Sequence, residues 1–160
     1  MNDQDRQADG LRVRTGAERH DAAEPAETGG RSAELRVALD GIRSIRRLTN
    51  SGSAPQARPA EWERRRLLRT VSLLLEAEGI PPSVVGEDGE PVRTGYRVSE
   101  EERAGLVRVR WAGPRGSGAR YQERESLLRC QEVLREWGFE ALEVRGRGGR
   151  RHLEVEAGPG

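Results

Sequence analysis

Residues 127–156 read LLRCQEVLREWGFEALEVRGRGGRRHLEVE, and how this stretch folds decides the architecture of the chain. Its first half repeats apolar residues at helical spacing (Leu127, Cys130, Val133 and Leu134) and stops at Gly138, which suits a left-handed C-terminal cap. Its second half alternates apolar and polar residues over 141–145 and 151–156, two strands joined by a glycine-rich turn. Moved back by 59 residues, the helical face coincides with Leu68, Val71, Leu74 and Leu75, and Gly138-Phe139 with Gly79-Ile80. Strand-like runs at 92–98 and 106–111 then complete a second helix-hairpin unit, with 81–91 (PPSVVGEDGEP) as an excursion that the later unit lacks.

The expectation is an α+β two-layer domain over 59–157, in α-β-β-α-β-β order. A four-stranded, mainly antiparallel sheet carries helices 59–79 and 119–137 on one face. Alternation points Tyr96, Val98, Val107, Val109, Trp111, Leu142, Val144, Leu153 and Val155 inward. Outward fall Arg97, Leu106, Arg108, Arg110, Glu143, Arg145, His152, Glu154 and Glu156, the charges of a solvated sheet with no aromatic on which a base could stack. Ser99-Glu100-Glu101-Glu102 spells a capping box that would start one helical turn in the intervening loop.

All six aromatic residues lie between positions 62 and 139, which places the core in the C-terminal two thirds. Residues 1–30 lack periodicity and read as a disordered tail, with Leu11 and Val13 its only large aliphatics after Met1. Residues 31–50 form an extra amphipathic basic helix. Its stripe is Leu35, Ala38/Leu39, Ile42, Ile45 and Leu48, and its polar side carries Arg36, Arg43 and Arg47 with Arg46 nearby. Residues 51–58 have linker composition, so this helix is expected to be separable from the domain.

Charged residues make up 34% of the 160-residue chain, and every one of its 28 basic residues is arginine. The net charge of +1 is spread evenly, so no segment binds phosphate backbones by bulk charge. A single cysteine, Cys130, excludes an internal disulfide and a zinc-thiolate cluster. No signal-peptide pattern and no apolar run of the roughly 20 residues that span a bilayer is seen, so no membrane contact and a cytoplasmic location are expected.

Two stretches invite chemistry. Gly113-Pro-Arg-Gly-Ser-Gly118 lies between a strand and a helix, where Gly113, Gly116 and Gly118 could cradle a phosphate with Arg115 and Arg120 as anion contacts. Ala119 and Arg120, however, stand where the P-loop pattern needs Lys and Ser/Thr. Arg145, Arg147, Arg150, Arg151 and His152 surround a predicted hairpin tip that could clamp nucleic acid, with Arg43, Arg46 and Arg47 as a second contact. Otherwise these arginines are simply solvated, pairing with Glu143 and Glu154. His20 and His152 have no nucleophile at a suggestive spacing, and Cys130 lies on an apolar stripe, so no catalytic residue, metal or cofactor is expected.

The leading expectation is a non-enzymatic protein-binding or regulatory accessory module. It would use an edge strand or the 32–49 helix surface toward a protein partner or a second copy. Nucleic-acid binding through the arginine hairpin is the first alternative and phosphate-ligand binding at the glycine loop the second.

Overall fold

The computed structural model describes residues 11–20 and 28–158. Four helices are followed or interleaved by six strands: α1 (Thr28–Thr49), α2 (Glu61–Arg65), α3 (Leu67–Ala77), β1 (Val84–Val85), β2 (Pro91–Arg93), β3 (Gly95–Glu100), β4 (Val107–Ala112), α4 (Ala119–Glu136), β5 (Glu140–Arg145) and β6 (Arg151–Glu156). The fold is α+β, with a four-stranded antiparallel sheet in the order β3-β4-β6-β5 and a small antiparallel pair β1-β2. Helices α3 and α4 pack against one face of the sheet, and α1 packs on α3 as an outer layer.

The two helix-hairpin units end their helices alike. Ile80 N donates to Leu75 O and Gly79 N to Glu76 O; 59 residues on, Phe139 N donates to Leu134 O and Gly138 N to Arg135 O. Both glycines are left-handed, with φ of 88° and 85°, as this cap requires. The apolar residue after each, Ile80 or Phe139, is buried beneath its helix. The two hairpins then meet through β4 and β6, so the units sit side by side in one sheet.

Several sequence expectations are corrected. The helix expected over 59–79 is broken at Arg66 (φ −122°, ψ 49°), which separates α2 from α3. Ser99 and Glu100 belong to β3, and Glu101 pairs with Arg108, so no helical turn starts there. In β5 the pleat is one residue out of phase with expectation: Ala141 is opposite Val155 and Glu143 opposite Leu153 on the helix side. Leu142 and Val144 stand opposite Glu154 and His152 on the open side. The phase is set by Phe139, buried immediately after α4, because every second residue from it returns to the same face.

Residues 11–20, assigned by composition to a disordered tail, instead run along the domain as a strap. Val98 N donates to Thr15 O at 2.7 Å, Ser83 Oγ to Gly16 O at 3.0 Å and Tyr96 Oη to Arg14 O at 2.7 Å. Leu11 and Val13 pack against the core. Arg31 of α1 donates to both carboxylate oxygens of Glu76 and to Arg12 O, tying helix, strap and α3 together. Residues 28–30 of the expected tail open helix α1, and the rest of it, 1–10 and 21–27, lies outside the described residues.

Cys130 is fully buried on α4, and desolvation of its thiolate pushes its pKa up to about 12. An unfolded thiol titrates near 8.5, so this contribution to stability is complete below about pH 8.5 and is lost as pH rises toward the folded value. Unfolding free energy measured in urea is therefore expected to fall between pH 8.5 and 10. The slope should approach about 1.4 kcal/mol per unit from this proton, and Cys130→Ala should flatten it. An unchanged slope in that variant would assign the loss elsewhere.

Candidate binding surfaces

Helix α1 carries more apolar surface than the core covers. Leu35, Leu39 and Ile42 are buried against α3, whereas Val37 and Leu48 are 71% and 72% exposed. They border a groove of about 700 Å³ between α1, the Trp62 side of α2, α3 and the strap. Ile42, Ile45, Trp62 and Leu73 line it, with Leu11 from the strap. Gly41 also lines the groove, and a Cβ placed there meets nothing within 4 Å.

The same helix is fixed to the domain by charge. Arg46 follows Leu35, Leu39 and Ile42 on the inward stripe and is 1% exposed. Its Nε and Nη2 donate to the two Glu63 oxygens at 2.8 and 2.7 Å, and its Nη1 to Gln56 O at 2.9 Å. Glu63 also accepts from Ala60 N, so both carboxylate oxygens are used. The Trp137 and Phe139 rings flank the guanidinium. Arg46 is thereby removed as a nucleic-acid contact, because its charge and donors are consumed inside the protein.

Arg43 lies 4.7 Å from the Trp137 ring centroid and pairs with Asp40, and both Arg43 and Arg47 of the expected trio are exposed. Residues 51–58 are not a slack linker: they form a 3-10 turn at Pro55–Ala57, and Asn50 Nδ2 donates to Pro55 O and Arg58 O. The helix is bound to the domain at both ends.

The arginine hairpin and the glycine loop, far apart in sequence, are neighbours. The hairpin turns through Arg147–Gly149, with Gly148 and Gly149 at positive φ. Glu123, one turn into α4 and 5% exposed, accepts from Arg150 Nε at 2.9 Å and Arg151 N at 2.6 Å. Arg151 also pairs with Glu143 at 2.9 Å, and Arg120 reaches Gly148 O at 3.4 Å. A pocket of about 450 Å³ lies here between Arg120, Tyr121, Glu123 and Arg150. Arg145 and Arg147 remain exposed at the tip, as does Arg115 in the loop.

For a phosphate this pocket is poorly arranged, since Glu123 already places a carboxylate in it. Gly113 is needed for packing: its Cβ would lie 2.5 Å from Thr94 Oγ1 and 2.7 Å from Ala119 Cβ. Gly116 and Gly118 adopt φ of 79° and 80° and face open space. The loop glycines thus form a turn, and Ser117 Oγ closes it by donating to Pro114 O.

Among the described residues there is no cluster of three or more histidine, cysteine or carboxylate side chains that could hold a metal, and no helix long and apolar enough to cross a membrane. No family model, curated protein or solved structure matches this chain.

Proposed function

We propose that this chain is a non-enzymatic protein-binding module whose α1 groove receives an amphipathic helix of a partner protein. The observation that carries the reading is the groove itself, apolar along its floor and flanked by Val37 and Leu48. Its α1 lining runs from Ala33 to Leu48, about 22 Å at 1.5 Å per residue. That length suits a helix presenting anchors one turn apart better than a compact ligand. Residues 1–10, 21–27 and 159–160 contain one large apolar side chain, Met1, and so make a poor internal filling for the groove. Helix α1 of a second copy meets the same chemical description as a foreign helix.

Photoreactive phenylalanine analogues placed at Val37 and Leu48 test this in cells, with exposed Leu128 on α4 as the control position. Specific adducts are expected from 37 and 48 and should disappear in Gly41→Arg, which fills the groove at a helical position with open space and leaves the melting temperature unchanged. Adducts of twice the chain mass would name a second copy as the partner. No adduct from 37 or 48, or the same adducts from all three positions, would overturn the reading.

A further inference from the structure

We propose that the uncovered face of the sheet is a second binding site, contacting the phosphodiester backbone of double-stranded nucleic acid through arginines of adjacent strands. Strand register places Arg97 of β3 directly opposite Arg110 of β4. One position beyond the Val109↔Leu153 pair, Arg110 comes abreast of His152 on β6, which is opposite Val144 on β5. The row Arg97, Arg110, His152, Val144 contains no carboxylate.

The neighbouring row is Ser99, Arg108, Glu154, Leu142. Arg108 pairs with Glu101, and Glu154 lies 3.7 Å from His152 Nε2, whose pKa burial and Arg108 lower below the usual imidazole value. Arg97 and Arg110 have no ion-pair partner among the described residues. Burial first, and then Arg108, lower the Arg110 pKa; Glu101 opposes them, and Arg97 and Arg150 add smaller lowering effects. Arg97, Arg108 and Arg110 therefore share one patch. Like charges directly opposite in a sheet oppose strand pairing, and an anion on that face would relieve the repulsion.

The shape of the patch favours a polyanion over a single phosphate. Strands lie about 4.8 Å apart, so Arg97 and Arg110 stand one strand spacing apart, with Arg108 two residues along β4 on the same face. Duplex nucleic acid presents one charge per about 1.7 Å of axis, enough to meet several of these groups at once. Guanidinium forks match phosphate oxygens in pairs. No aromatic side chain faces this side, so contact is to backbone without base stacking, and the site reads no sequence. This site is separate from the α1 groove and does not depend on it.

The test is fluorescence anisotropy of the full chain with labelled duplex DNA and duplex RNA across a sodium chloride series, with polyglutamate as competitor. The double variant Arg97→Gln/Arg110→Gln is compared with Arg36→Gln/Arg47→Gln on α1. The sheet variant is expected to reduce the slope of log K against log salt by about 1.8, two phosphate contacts' worth on duplex DNA. Because it removes a like-charge pair, its melting temperature should hold or rise, which separates lost contact from lost fold. The α1 variant should keep the wild-type slope. A wild-type slope in the sheet variant, no binding to either duplex at 50 mM salt, or competition by polyglutamate equal to that by unlabelled duplex would overturn the proposal.

Discussion

Glu63→Ala is expected to destabilise the protein by about 3–5 kcal/mol, because it leaves the Arg46 guanidinium buried without its counter-ion. Both side chains are 1% exposed, and the pair is joined by two parallel hydrogen bonds of 2.7 and 2.8 Å. Water cannot replace the lost carboxylate without opening the contact between α1, α2 and the Trp137 and Phe139 rings. Removing both charges is a different matter: Arg46→Met with Glu63→Leu eliminates the desolvation of two ions, and such swaps are often neutral or stabilising. The double variant should therefore recover most of the loss, apart from the hydrogen bonds to Ala60 N and Gln56 O. Urea unfolding checks this through the midpoint at constant slope. A single-variant loss under about 1 kcal/mol would mean that the pair is hydrated in solution, as surface pairs are.

The sequence was informative where periodicity came from many large side chains and misleading where one residue carried the phase. The α-β-β-α-β-β order and the inner residues of β3, β4 and β6 followed from alternation of Val, Tyr, Trp and Leu. In β5 the larger aliphatics Leu142 and Val144 suggested an inward face, yet the inward position is the small Ala141. Gln131 and Arg135 of α4 both donate to the Ala141 carbonyl, so the helix lies close over this strand. Counting the alternation from Phe139 would have found the phase.

The candidate sites show the same division. Arg46 sits at the stripe position after Leu35, Leu39 and Ile42, so its burial was legible in the spacing, but its partner Glu63 lies across a connection whose path only the fold supplies. The strap at 11–20 was hidden by averaging over thirty residues that are mostly polar, although Leu11, Val13 and Thr15 already alternate as an extended segment does. Neither the groove nor the Arg97, Arg110, His152 row has a local motif: one depends on which apolar residues of α1 stay uncovered, the other on strand register.

Gly138→Ala is expected to cost about 2–4 kcal/mol, well above the loss of about 1 kcal/mol expected for Gly79→Ala at the equivalent cap. The two glycines share left-handed φ and the same hydrogen-bond pattern, so the intrinsic backbone penalty is common to both. Their surroundings differ. An added Cβ at Gly79 lies 3.7 Å from the movable Arg129 guanidinium, whereas at Gly138 it lies 2.3 Å from the Ala57 carbonyl oxygen. That oxygen belongs to the turn beside Gln56, whose carbonyl accepts from Arg46. Displacing the turn should therefore disturb the buried ion pair as well, and Gly138→Ala combined with Glu63→Ala should cost less than the sum of the two by more than about 0.5 kcal/mol. Equal losses at positions 79 and 138 would show that the turn yields freely. Strict additivity with Glu63→Ala would show that the cap and the ion pair are energetically separate.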